Sequence, residues 1–247
     1  MIPGVASPEL GNRRDLLVYL PSSYASGLRR YPGVYMQDGQ NLFDPATSFA
    51  GDWGLGPILA RAGREGYDTI VVGIPNMGTE RIAEYSPFPD AKIGGGRGDR
   101  YLDFLLNTVK PLIDARYRTR PERAATGIAG SSMGGLISLY AFFHRAEAFG
   151  FVGGLSPSLW FAEAAIFPVV ETAPFIPGKI YLDIGTLEGP DPVSGVVRLR
   201  DLLLAKGYRR GRDLLWVEEL GGRHNEAAWG RRFGQALPFL LSHHGGM

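Results

Sequence analysis

The chain has 247 residues, 45% of them hydrophobic and 21% charged, which suits one substantial apolar core and requires no second domain, so residues 1–247 are expected to form a single domain. Its 26 basic and 25 acidic side chains leave a formal charge of +1, too small a field to hold a nucleic acid. The absence of cysteine excludes disulfides, thiol nucleophiles and cysteine-ligated metals together.

The opening stretch MIPGVASPELGNRR lacks the apolar centre of a signal peptide, and no later segment holds about 18 unbroken apolar residues, so a soluble cytoplasmic protein with no membrane partner is expected. LLVYL (16–20) and GVYM (33–36) read as strands, residues 55–65 as a helix, and TIVVGI (69–74) as the next strand. Residues 85–100, rich in Pro and Gly, read as a long loop before a helix at 101–117. The arginine-rich run RYRTRPER (116–123) reads as solvated ion pairs, with phosphate binding the alternative. AATGIA (124–129) is a strand, 134–145 a helix, and FGFVGGL (149–155) and KIYLDIG (179–185) are strands. A helix at 196–206 carries Val196, Leu199 and Leu203 on one face, LLWVEEL (214–220) is the last strand, and 227–242 the last helix. Continuous apolar strands alternating with helices define an α/β protein: a mostly parallel central sheet of about seven or eight strands, helices on both faces. The short connection between Leu155 and Lys179 leaves no room for a large cap.

Between the strand at 124–129 and the helix at 134–145 sits Gly130-Ser131-Ser132-Met133-Gly134, a Gly-x-Ser-x-Gly pattern in the strand-turn-helix setting of a nucleophile elbow. At such a turn the serine takes a positive φ and its neighbours two positions away must be small. The Met133 amide then opens a helix whose positive end suits an oxyanion. The competing reading is a tight turn with glycines for close packing.

Serine needs a base, and the chain offers His144, His224, His243 and His244. His144 lies about 18 Å along the same helix from Ser132, and His243 and His244 sit at the chain's end. His224 remains, in the loop after the last strand, on the rim where loops of parallel strands gather. The acid is sought between Ser132 and His224. Asp183 lies within a strand, whereas Glu188 and Asp191 fall in the loop beyond it; Glu188 is preferred and Asp191 held in reserve.

LLVYLPSSY (16–24), YMQDGQNLFD (35–44), VVGIPN (71–76) with RIAEYSPF (81–88), GSSMGG, LSPSLWF (155–161), YLDIGTLEG and GGRHNEAAW together resemble, over nearly the whole chain, an esterase family of α/β-hydrolases. That family includes S-formylglutathione hydrolases, feruloyl esterases, enterobactin-type trilactone esterases and mycolyltransferases. The resemblance implies Ser132 as nucleophile, His224 as base and Glu188 as acid. It also implies a second oxyanion amide at Gln40, following Asp38-Gly39, beside that of Met133. Asp38 stands where many members have His, and Glu188 where many have Asp; the second departure keeps Asp191 open.

The expected activity is that of a serine carboxylic-ester hydrolase, working through an acyl-enzyme on soluble or bulky esters, with no cofactor and no metal. Alternatives are a siderophore trilactone esterase, an acyltransferase, or a non-catalytic binding module on the same scaffold. Trp53, Tyr85, Trp160 and Trp229 are candidates either to line the substrate pocket or simply to pack. Arg81 is a candidate to steer an anionic group, or to pair locally with Glu84.

Overall fold

The computed structural model describes residues 1–48 and 51–242. Among them, eight strands form one sheet: β1 (Ile2–Ser7), β2 (Asn12–Tyr19), β3 (Gly33–Gln37), β4 (Ile70–Ile74), β5 (Thr126–Ser131), β6 (Phe151–Leu155), β7 (Lys179–Gly185) and β8 (Leu214–Glu219). The spatial order is β1-β2-β4-β3-β5-β6-β7-β8. From β4 to β8 neighbouring strands run parallel, while β2 meets both β1 and β4 antiparallel. The parallel strands were foreseen, but β1 was not, because only Ile2, Val5 and Ser7 of it are buried and no apolar run marks it.

Period-two alternation sends each central strand's side chains to two cores. Along β4, Ile70, Val72 and Ile74 join one apolar cluster and Val71 the other; along β3, Tyr35 joins the first and Val34 and Met36 the second. Helix α1 (Leu55–Arg64) and the last helix, Glu226–Leu241, cover the second cluster. The first is covered by α2 (Met133–His144), buried at every position from Met133 to Phe143, and by α3 (Pro190–Ala205). In α3 the expected stripe of Val196, Leu199 and Leu203 is buried. The last helix is α4 (Glu226–Leu241).

Boundaries differ where proline chemistry intervenes. Helix α3 starts at Pro190 rather than 196, since a proline in the first turn forfeits no hydrogen bond and has its φ already set. Asp191 therefore lies in a helix turn and not in the loop where the sequence reading put it. The helix expected at 101–117 runs through Gly98–Asp103, a π-helical Phe104–Val109 and Lys110–Arg116, the wide turn preceding Pro111, which has no N–H to give. The expected loop at 85–100 holds a two-residue ladder, Pro89–Asp90 against Gly94–Gly95. Two short helical segments, Phe161–Ala164 and Ile166–Thr172, fill the link between β6 and β7. Among the described residues no helix is long and apolar enough to cross a membrane.

The antiparallel edge is tied to the rest by a buried ion pair. Arg14 on β2 donates through both terminal nitrogens to Glu84, at 2.9 and 2.8 Å, with both side chains 1% exposed. Glu84→Ala would leave that guanidinium buried without its counter-ion, and urea denaturation is expected to show a loss of about 3–5 kcal/mol. A loss under about 1 kcal/mol would mean that water or a neighbour replaces the carboxylate.

Candidate active site

The carboxyl ends of the parallel strands share one rim, and the candidate site residues collect there. Between β5 and α2, Ser132 takes φ 56° and ψ −122°, a conformation that costs a non-glycine residue about 1–3 kcal/mol. Its peptide is pinned on both sides: the N–H donates to Leu155 O at 3.0 Å, and the carbonyl accepts from Leu136 and Ser158 amides, each at 3.0 Å. Small neighbours are a steric necessity. A Cβ on Gly130 would stand 2.7 Å from the Gly134 carbonyl carbon, and one on Gly134 would stand 3.0 Å from Gln37 Cβ. The Ser132 Oγ shares a 3.1 Å hydrogen bond with Ser158 Oγ.

The imidazole arrives from the other side. After β8 the chain turns through His224 into α4, whose N-cap Asn225 accepts from the Ala228 amide at 3.0 Å. His224 Nδ1 lies 2.7 Å from Glu188 Oε2, and the ring stands edge-on to Trp229 at 4.8 Å between centroids. Glu188 follows β7 in a turn closed by the Gly185 amide donating to Oε1 at 2.8 Å. Burial pushes the Glu188 carboxyl up, but hydrogen bonds from His224, Ser156 and the Gly185 amide outweigh it and hold it below the usual glutamate range. With the carboxylate accepting, Nδ1 carries the proton and Nε2 is left as the basic nitrogen.

Behind Glu188 lies a network that the sequence did not disclose. Ser156 Oγ donates to Glu188 Oε1 at 2.7 Å and accepts from Trp229 Nε1 at 3.0 Å and from Arg232 at 2.9 Å. Arg232 is fully buried, with Glu188 Oε1 at 3.4 Å and Asp183 Oδ1 at 3.5 Å. Asp183 in turn accepts from the Ser156 amide at 3.0 Å. The signal for Arg232 was present: it falls on α4's buried stripe with Trp229, Phe233 and Ala236, where a charge needs a partner. Ser156 and Ser158 lay within the LSPSLWF stretch but carried no spacing that singled them out.

The opposite wall comes from β3 and β4. Asp38 adopts φ 55°, and a Cβ on Gly39 would stand 2.5 Å from the Gly73 carbonyl carbon, so that turn tolerates only glycine. Arg81 grips the Asp38 carboxylate through two 2.8 Å hydrogen bonds, and Asn76 Nδ2 donates to it at 2.6 Å. Burial lowers the Arg81 pKa, but the bond and charge of Asp38 more than offset it, and the net direction is up. The Gln40 side chain accepts from the Asn76 amide at 3.1 Å. Ser132, Trp229, Gln40, Asn41, Arg81 and Glu226 are among the residues enclosing a cavity of about 730 Å³.

The structure thus gathers Ser132, Gln40, Arg81 and Trp229 around one cavity and joins His224 to Glu188. Tyr85 is buried one layer back, its hydroxyl accepting from the Asp38 amide at 2.9 Å. Trp53 is buried against Trp229 and Phe233, and Trp160 is half exposed on a separate cleft with Asp191, so neither reaches this cavity. The local Arg81–Glu84 pair does not form, since Glu84 belongs to Arg14. His144 is exposed beside Asp99 and stacks on Tyr140, while His243 and His244 lie outside the described residues. Among the described residues no group of three or more His, Cys, Asp or Glu is placed to hold a metal.

A family model described as "Putative esterase" matches residues 7–240. The chain is 30% identical to uncharacterized protein YbbA of Bacillus subtilis over 93% of both chains. It is 33% identical to the siderophore triacetylfusarinine C esterase of Aspergillus fumigatus over 55% of this chain and 47% of that protein, about half of the fungal enzyme's length. Among solved structures it is similar to the IroE-like serine hydrolase from Shewanella oneidensis, with TM-score 0.74 and 22% identity over 94% of this chain and 77% of that one. The enterobactin esterase FES from Shigella flexneri gives TM-score 0.77 and 21% identity over 95% of this chain and 56% of that one. At these identities the solved structures speak to the fold.

The buried network makes stability depend on pH. Burial pushes the Asp183 carboxyl up to about 7, with Arg232 and the Ser156 amide pulling against it. An unfolded aspartate titrates at about 3.9, so the folded state holds this proton more tightly. The corresponding stability is fully present below about pH 4 and is lost as pH rises through about 7. Urea titrations across that window are expected to show wild-type stability falling, with a flatter slope in Asp183→Asn. Equal slopes in the two proteins would assign the titration elsewhere.

Proposed function

The chain belongs to the esterase family of α/β-hydrolases and is a carboxylic-ester hydrolase, and from that premise we propose that it works through a Ser132–His224–Glu188 triad and a covalent acyl-enzyme. The observation that carries this reading is the 2.7 Å bond from His224 Nδ1 to a buried carboxylate, which leaves Nε2 as the free nitrogen of a ring placed after β8, on the strand-end rim that also carries Ser132 at a strained φ. In catalysis the Ser132 hydroxyl leaves Ser158, donates its proton to His224 Nε2, and attacks the ester carbonyl carbon. Apo active sites commonly hold such bonds loosely until substrate arrives.

The tetrahedral oxyanion is received by the backbone N–H groups of Gln40 and Met133. Both sit in the first turn of a helix, where amides have no intrahelical acceptor, and each such donor is worth up to about 3 kcal/mol. Collapse expels the alcohol, which takes the proton back from His224. A water molecule then repeats the sequence on the acyl-enzyme, giving the acid and free Ser132. Asp38 serves here through its backbone turn, with its carboxylate committed to Arg81 and Asn76. The substrate is a small-molecule ester, and similarity to a fungal siderophore esterase makes siderophore-type esters the first to assay. A non-catalytic binding role finds no support in a site that retains Ser132, His224 and the glycines around the elbow.

A fluorophosphonate probe is expected to label the wild type and not Ser132→Ala, and kcat on activated esters should drop at least about 10³-fold in that variant. Glu188→Gln should lower kcat by about 10²–10⁴-fold, because the imidazole loses its orienting acceptor. Asp191→Asn, altered in an exposed helix turn, should stay within about 3-fold of wild type. Labelling that survives Ser132→Ala would end the assignment, and the reverse order of the two acid variants would move the acid to Asp191.

A further inference from the structure

The cavity beside Ser132 is lined, among the described residues, by three charged side chains: Asp38, Arg81 and Glu226. Two of them cancel, because the Arg81 fork is spent on Asp38 through paired 2.8 Å bonds. Glu226 is left as the net charge. It opens α4 two residues after His224, is only 9% exposed, and has its Oε1 3.4 Å from Asn41 Nδ2. Its place in the first turn of a helix favours the ionised form, and so does the neighbouring Arg81 guanidinium. Burial and the Asp38 charge push the other way and raise its carboxyl above the usual glutamate range. The remaining polar lining is neutral, with Gln40, Asn41, Thr47, Ser48 and Asn76 joining Ser131 and Ser132, and Trp229 beside them.

Such a wall offers hydroxyl and amide partners to a neutral polar group and sets one negative charge against an anion. We propose that Glu226 is a specificity-determining residue that makes this a site for neutral, hydrogen-bonding or cationic esters and rejects esters whose acyl chain carries a carboxylate. The proposal rests on Ser132 being the reacting residue of the cavity. It adds a charge criterion that the triad alone does not supply. At a separation of about 7 Å and an effective dielectric of roughly 40, one charge changes the relative rate of an anionic and a neutral substrate by about 5–10-fold.

The test uses three p-nitrophenyl esters of equal chain length: the hexanoate, the mono-ester of adipic acid, and the 6-aminohexanoate. They end in a methyl or a carboxylate at the sixth carbon, or in an ammonium attached to it, so the carboxylate oxygens and the ammonium nitrogen lie the same number of bonds from the scissile carbonyl. With kcat/KM measured at about pH 8, where carboxylates are ionised, the wild type is expected to rank ammonium, then methyl, then carboxylate. In Glu226→Gln the anionic ester should gain about 5–10-fold relative to the hexanoate measured on the same variant. Raising salt from about 20 mM to about 0.5 M should compress the wild-type spread in the same direction, a measurement that needs no variant to fold. A spread unchanged in a folded Glu226→Gln, or indifferent to salt in the wild type, would overturn the charge filter. Hydrolysis that persists in Ser132→Ala would instead remove the underlying site, so the two failures are told apart.

Discussion

Everything on the active rim depends on one backbone constraint, the left-handed turn at Ser132 between a buried strand and a buried helix. A residue at φ 56° is held there only because the surroundings over-determine it. The Leu155 carbonyl fixes its amide, the amides of Leu136 and Ser158 fix its carbonyl, and Gly130 and Gly134 let strand and helix approach to distances no Cβ would allow. The outcome is a hydroxyl raised above the sheet at the start of a helix. The same Ser158 amide that anchors the turn places its own hydroxyl 3.1 Å from the Ser132 Oγ, so the loop after β6 both braces and solvates the serine.

A second constraint acts on the acid. A fully buried guanidinium is costly to desolvate, and the cost is offset only where carboxylates and hydrogen-bond acceptors surround it. Arg232 meets that condition with Glu188, Asp183 and Ser156. The arrangement is not neutral toward its members. Glu188 is held low, ready to accept from the imidazole, while Asp183, without comparable donors, is pushed up to about 7 and surrenders its charge first. The two carboxylates are sorted by how many donors each receives: Glu188 accepts from His224, Ser156 and Gly185, and Asp183 chiefly from the Ser156 amide.

This sorting also explains what could be read from the sequence. The parallel strands were legible because burial on both faces writes an unbroken apolar run, and Ser132 because the elbow needs small residues at fixed offsets. His224 emerged by eliminating its rivals, and Glu188 by its place beyond a strand end. Features whose physics is non-local stayed hidden. Strand β1 pairs antiparallel at an edge and buries only Ile2, Val5 and Ser7, and Asp38 and Arg81 are brought together from the segments after two different strands. Asp191 was misplaced because the apolar stripe marks the helix only from Val196, whereas the helix starts at Pro190. Arg232 was readable in principle, as a charge on an apolar stripe, but its partners lie on other elements.

Helix α4 draws these threads into one rigid element. Its N-cap follows the imidazole, Glu226 faces the cavity from its first turn, Trp229 touches His224 and donates to Ser156, and Arg232 stands behind the acid. Residues 226, 229, 232 and 233 recur at three- and four-residue intervals, so a single helix face carries pocket charge, ring packing and counter-ion together. A displacement of α4 would therefore alter the charge lining the cavity and the His224–Glu188 geometry at once. The sign of the field follows from the same placement. The helix's buried cation is consumed by carboxylates behind Glu188, while its first-turn anion, Glu226, lines the cavity. The charged lining of the cavity is accordingly net negative in a protein whose formal charge is +1, and local geometry rather than composition sets the sign of the field there.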